Sequence, residues 1–357
     1  MMRLSTLLSE ATRDVASGTA RAVTFGAIFA LTLLLLLASD VFATQRLIDD
    51  AARFTRSGAA TLAVASSGNI AGEACEALSS LPQVSGSGAI RATQQQLTFA
   101  VMPRSPLDAY AASSGMRDVL GVRKLSERGI VVSADAADEL GTLRNDTVIT
   151  NRGVTELAGE YDYPADGRRP GFGWAALIPA PADELYDECW VTVWPFTSDI
   201  RPLLMSTLAA SAPRDAKVEI AQLNTRYGST FDGAARYDTR PTALNPLYAA
   251  ALGLVLAFAA IRLRKLEFAA RLHDGASTAS LQALAVTESL SWLSTAALAS
   301  AAIAAALAVQ IPHPDSGAVI ATSLTTCFAA IVGGVCGALT GATVVREQDL
   351  FAYFKDR

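Results

Sequence analysis

Four apolar stretches, each long enough to cross a bilayer, dominate what this chain can fold into. A transmembrane helix needs about 20 apolar residues to span a hydrocarbon core of about 30 Å. Ala22 to Ala43 (AVTFGAIFALTLLLLLASDVFA) meets this with one charge, Asp40, near its far end. Pro241 to Ile261, Ser289 to Ile311 and Gly317 to Val345 carry none. In lipid each backbone polar group must be satisfied within the segment, so each stretch must be helical. Composition agrees, because charged residues make up 18% of the chain and hydrophobic ones 51%. A net charge of -5 without a concentrated basic surface argues against a nucleic-acid partner.

The first stretch has a rival reading as a signal peptide, with Val41-Phe42-Ala43 as a small-residue cleavage site. Its length, and that of the segment before it, favour a retained anchor. Arginine and lysine set the orientation. Arg262, Arg264, Lys265 and Arg271 follow the second span, whereas the link between the third and fourth, Gln310 to Ser316, has neither residue type. Arg3, Arg13 and Arg21 precede the first span, and Arg346, Lys355 and Arg357 follow the last. The expected organisation is a cytoplasmic interfacial helix at 1–21, a first span at 22–43 and an extracytoplasmic domain at 44–240. A second span at 241–262 leads into a cytoplasmic segment at 263–282 and a third span at 283–311. A short outer loop at 312–317, a fourth span at 318–345 and a cytoplasmic tail at 346–357 complete the chain. The excess of arginine over lysine and the abundance of alanine fit a bacterial cell membrane.

Within 3–20, Leu4, Leu7, Leu8, Ala11 and Val15 fall at helical spacing, with Arg3, Glu10, Arg13 and Asp14 elsewhere on the wheel. Such a helix lies in the interface with its apolar face down, or packs on a partner. The exported region reads as helix-compatible to about Leu81, as an extension of the first span, then as Ser/Gly turns at 85–88. Strands are expected at Gln96–Met102, Gly129–Ser133, Thr147–Thr150 and Trp190–Trp194, with a short helix at Ala134–Gly141. The fold class is therefore an integral membrane α-helical protein with an inserted mixed α/β extracytoplasmic domain. Gly333, Gly337 and Gly341 line one face of the fourth span for close helix packing, either within one chain or between two.

Catalytic chemistry is poorly supplied. The two histidines, His273 and His313, fall on opposite sides of the membrane, so they share no site. Asp138-Glu139, Asp183-Glu184 and Asp187-Glu188 read as solvated surface rather than as a glycosidase pair. None of the lysines (Lys124, Lys217, Lys265, Lys355) follows a glycine as a phosphate-cradling loop requires. No catalytic residue, metal ligand or cofactor is assigned to this chain. Cys327 and Cys336 sit on opposite faces of one span and read as packing residues, whereas Cys75 and Cys189, alone in an exported domain, read as a disulfide.

The segment RLRKLEFAARLHDGASTASLQALAVTESLSW (Arg262 to Trp292) runs from basic residues through an acidic-aliphatic helix and Gly-Ala-Ser to a helix with an early glutamate, Glu288. Arg264, Glu267 and Arg271 share one face and could form an ion-paired solvated stripe, with Phe268 and Leu272 as a neighbouring apolar pair. Gly275 is placed to stop this helix and Ser277 to cap the next. The pattern resembles the coupling segment of the MacB/FtsX-type permease family of ABC transporters, as does the order of one span, a large outer domain and three spans. GIVVSADAADELGTLRNDTVIT resembles the family's periplasmic core domain, with Asn145 where the family commonly has glycine before Asp146. LPQVSGSGAIR is similar to that domain's opening strand region.

The resemblance implies a permease subunit that is not itself an enzyme, docked through Arg264, Glu267, Phe268, Arg271, Leu272, Gly275 and Ala276 on a separate ABC ATPase dimer that binds ATP and Mg. Phe268 and Leu272 are then expected to face outward and supply apolar area to that dock. It further implies a second permease copy or a homologue, membrane lipid around the spans, and an accessory protein on the outer side. The alternative is a membrane-anchored sensor whose outer domain binds a ligand.

Overall fold

A computed structural model of the chain describes residues 4–124, 126, 128–141, 147–196, 200–309 and 313–355. Two compact units emerge, one from Met1–Ile48 with Ala234–Arg357, the other from Asp49–Gly233. The first is helical. Its elements are α1 (Leu4–Ala16), α2 (Ala22–Arg56, in this unit to Ile48), α3 (Asn245–Arg262), α4 (Lys265–His273), α5 (Thr278–Ala308), α6 (His313–Val344) and α7 (Leu350–Lys355). Among the described residues, four helices are long and apolar enough to cross a membrane: Ala22–Arg56, Pro241–Arg262, Thr278–Ala308 and Gly317–Val344. α6 begins at His313, inside the expected outer loop at 312–317.

α2 buries Phe25, Phe29, Leu33 and Leu37, four residues apart, in a core shared with α3, α5 and α6. Phe29 meets the Trp292 ring edge-on at 5.7 Å. Val23, Leu31 and Leu35 on α2, Leu298 on α5 and Phe328 on α6 remain exposed, as lipid-facing side chains do. Asp40, the one charge in the first span, is buried against Arg240 at 3.0 Å and accepts from the Thr322 hydroxyl at 3.2 Å. A charge at this depth is costly unless paired, and here it fastens α2 to α6 and to the chain entering α3.

Gly333 and Gly337 of α6 pack within the same chain, against α3. A Cβ added at Gly333 would lie 1.9 Å from the Ala250 carbonyl oxygen, and one at Gly337 would lie 2.1 Å from that of Leu254. On the α3 side, Gly253 stands equally close to the Ala330 carbonyl. Gly341 is looser, with Ile261 Cβ at 3.1 Å.

The second unit is mixed α/β. Its strands are β1 (Thr61–Ala71), β2 (Val84–Ala92), β3 (Leu97–Phe99), β4 (Met102–Ala112), β5 (Arg123–Lys124) and β6 (Ile130–Ser133). β7 (Thr147–Thr150), β8 (Gly153–Tyr161), β9 (Ala175–Pro179), β10 (Leu185–Val193) and β11 (Glu219–Gln222) follow. They hydrogen-bond in the order β11-β1-β10-β2-β4-β3-β7-β8-β6-β9, with β5 beside β8. β9 also pairs in parallel with β4, so six strands close into a ring. The helix Ala134–Leu140 buries Ala136 and Ala137 and ends at Gly141 with φ 61°, as its sequence predicts. The Asn145-Asp146 turn lies outside the described residues.

Three expectations for this unit are corrected. The helix does not run to Leu81: it ends at Arg56, Gly58 takes φ 78°, and the alanine-rich run becomes β1 between β10 and β11. Sheet pairing on both edges outweighs the helix propensity of alanine there. Residues 85–88 are no turn but the middle of β2. Gly88 lets the helix Met116–Val119 approach, since a Cβ there would meet the Met116 nitrogen at 2.2 Å. Gln96–Met102 is likewise broken, because the chain reverses between Phe99 and Met102, which face each other in the β3–β4 pair.

Cys75, in the helix Gly72–Ala77, is bonded to Cys189 of β10, and both are fully buried beside Ile70, Tyr186 and Val191. The bond closes a loop of sequence separation 114. Cys75→Ala with Cys189→Ala is expected to destabilise the domain by about 2–4 kcal/mol, because so long a loop in the unfolded chain is then unconstrained. Thermal unfolding of the double variant checks this, and an unchanged midpoint would show that the bond adds nothing.

Candidate functional site

The segment from Arg262 to Ala279 is built on a buried charge cluster. α3 closes at Arg262, Leu263 and Arg264 turn, and α4 opens at Lys265. The Arg264 side chain is only 8% exposed. Its guanidinium donates to Glu267 at 2.6 Å, to Asp14 of α1 at 3.1 Å and to Glu288 of α5. It also lies over the Phe268 ring, 5.4 Å from the centroid. Arg271 donates to Glu10 at 3.1 Å, Asp14 at 3.0 Å and Glu267 at 3.1 Å. Two guanidiniums thus join α1, α4 and α5 through four carboxylates. Burial by itself disfavours the Arg264 charge, but the Glu267 and Glu288 carboxylates more than offset it and raise its pKa. At Asp14 burial pulls upward, and the hydrogen bond with Glu288 and the Arg271 and Arg264 charges reverse it, leaving the carboxyl below its ordinary value.

The segment ends as its sequence predicts. Gly275 adopts φ 90°, and the Ala276 amide returns to the Arg271 carbonyl at 3.0 Å. Ser277 caps α5, its hydroxyl accepting from the Ser280 amide at 3.2 Å.

The orientation of the side chains is corrected. Phe268 does not face outward: it is fully buried with Ala269 in the helical core, beside Leu281 and Ala285 of α5, and Leu272 packs against the same cluster. Nor is the Arg264, Glu267 and Arg271 stripe solvated, since Glu10 and Asp14 of α1 cover it. Both the apolar pair and the charged face of α4 are used inside the chain. The exposed parts of the segment are Leu263 and the turn at 273–279, where His273, Asp274, Gly275, Ser277, Thr278 and Ala279 are exposed and Ala276 is half-buried.

Two supports were not read from the sequence. One is α1, whose Glu10 and Asp14 sit one helical turn apart, the spacing that brings both acids onto Arg271. The other is the stretch after α6. Glu347 meets His273 Nδ1 at 3.0 Å, and Lys265 Nζ lies 4.8 Å from the Tyr353 ring centroid of α7.

No protein-family model matches the sequence, and no curated protein does. Among solved structures, the chain is similar to the periplasmic region of MacB from Actinobacillus actinomycetemcomitans, with 12% identity and a TM-score of 0.34. That likeness covers 47% of this chain and 91% of the other. It is also similar to a domain assigned to a permease protein from Porphyromonas gingivalis, with 12% identity and a TM-score of 0.32 over 46% of this chain and 88% of that one.

Proposed function

We propose that this chain is the membrane-spanning subunit of an ABC transporter of the MacB/FtsX type, working with a separate ATPase that binds ATP and Mg. One observation carries the reading. Between two apolar helices, a short helix is tied by ion pairs to α1 and α5 and presents an exposed turn, 273–279. An element that receives force must not yield, and the Arg264 cluster with the Glu347 and Tyr353 contacts holds this one rigidly to the helices it would push. The resemblance of Arg262–Trp292 to the family's coupling segment supports the same assignment. In this role ATP-driven closure of an ATPase dimer moves the turn, and the spans of two such subunits carry the movement to their α/β domains. Both termini and the 263–282 segment are then cytoplasmic, in a bacterial cell membrane. The sensor reading is disfavoured because the Arg264 and Arg271 ion pairs brace α1 and α4 against each other, an arrangement suited to bearing force.

A photo-reactive residue at Ala279, introduced in chains co-expressed with an ABC ATPase from the same organism, tests the assignment. Ala279 is exposed and has no side-chain cap or ion pair to lose, so the fold is kept, and a crosslink to the ATPase with ATP-dependent yield is expected. A wild-type chain that neither copurifies with the ATPase nor crosslinks to it would return the sensor reading to first place.

A further inference from the structure

Beside the exposed turn, a cavity of about 350 Å³ opens between α1, the end of α4 and the start of α5. Its floor is apolar, made by Leu281 and Leu284, both buried. Its rim carries Glu10 on one side and Asp274 with Gly275 on the other. Arg271 also lines it, but its guanidinium is already shared among Glu10, Asp14 and Glu267. Counting the cluster behind the wall, five carboxylates (Glu10, Asp14, Glu267, Glu288, Asp274) stand near two guanidiniums (Arg264, Arg271). The cavity is therefore electronegative at its mouth and greasy at its base, on the side of the membrane where basic residues otherwise gather.

We infer that this cavity receives one cationic side chain, an arginine or a lysine, from the docking face of the ATPase subunit, a deepening that rests on the transporter reading above. The chemistry selects that occupant. A long aliphatic stem fits against Leu281 and Leu284, while the charged head reaches Glu10 and Asp274 at the rim. An acidic side chain would meet Glu10 and Asp274 as like charges, and a purely apolar one would cover Asp274 without offering it a partner.

Asp274 is the residue to test, because it is exposed and takes no part in the Arg264 and Arg271 ion pairs, so changing it should spare the fold. With purified permease and ATPase, Asp274→Lys is expected to weaken binding by about tenfold or more, the scale of a lost close charge pair in an interface. Asp274→Asn should fall between, and wild-type binding should weaken with added salt. Reversing one ATPase arginine or lysine to glutamate should restore binding to Asp274→Lys while harming binding to wild type. Asp274→Lys within twofold of wild type, or a loss that no ATPase reversal repairs, would overturn the inference and leave the transporter reading standing. Failure of the wild-type pair to bind at all would overturn that reading, and this inference with it.

Discussion

Gly333→Val and Gly337→Val should each strip the protein of most of its detergent-resistant stability, whereas Gly317→Ala in the same helix should not. The contrast follows from what a side chain would meet. At Gly333 and Gly337 the obstacle is a backbone carbonyl of α3, at 1.9 and 2.1 Å, and a backbone atom of a packed helix cannot step aside. Even alanine forces α3 and α6 apart, with an overpacking cost of about 1–3 kcal/mol each, and valine exceeds it. At Gly317 nothing lies within 4 Å, so alanine gains helix propensity worth up to about 1 kcal/mol. Gly341→Ala is intermediate, its neighbour being the Ile261 side chain at 3.1 Å. Midpoints of thermal unfolding for the alanine variants should rise from Gly333 and Gly337 through Gly341 to Gly317. Equal midpoints for Gly333→Ala and Gly317→Ala would mean that the glycines do not set the α3–α6 contact.

That glycine face was legible in the sequence because four-residue periodicity survives in a uniformly apolar helix. What it packs against was not, because an apolar pattern has no address. The same limit explains the coupling segment. The residue types at Arg264, Glu267, Phe268 and Arg271 announce a charged, partly apolar helix, and Gly275 and Ser277 mark its end. Which face is covered depends on α1, with Asp14 lying 250 residues before Arg264, and only Glu10 and Asp14 at helical spacing hint at two cationic partners. The spans and the Cys75–Cys189 bond were readable from apolar length and compartment alone. β1 was not, and β2 only through the resemblance of LPQVSGSGAIR to an opening strand region, since TLAVASSGNIA and VSGSGAIRA lack the β-branched alternation that marks a strand and owe their state to the strands on either side.

Removing the charge at the centre of the cluster should show how much the coupling segment depends on it. Arg264→Met keeps the length and the contact with Phe268 but leaves Glu288, Glu267 and Asp14 facing one another without their common cation. Glu288 is 2% exposed, so water cannot take over. Breaking a buried pair from one side costs about 3–5 kcal/mol, and that is the expected loss of stability. Arg264→Lys should recover only part of it, because an ammonium is a point donor and cannot serve three carboxylates on separate helices as a guanidinium does. Removing both members, Arg264→Met with Glu288→Leu, should be less damaging than Arg264→Met alone, the sign of direct coupling between the two. The readout specific to this site is α1, fastened to α4 by Asp14 and Glu10. In Arg264→Met trypsin should cut at the exposed Arg13 faster than in wild type, while the disulfide-bonded domain stays resistant. If Arg264→Met unfolds at the wild-type midpoint with α1 still protected, the cluster is not what holds the turn, and the rigid dock argued from it falls.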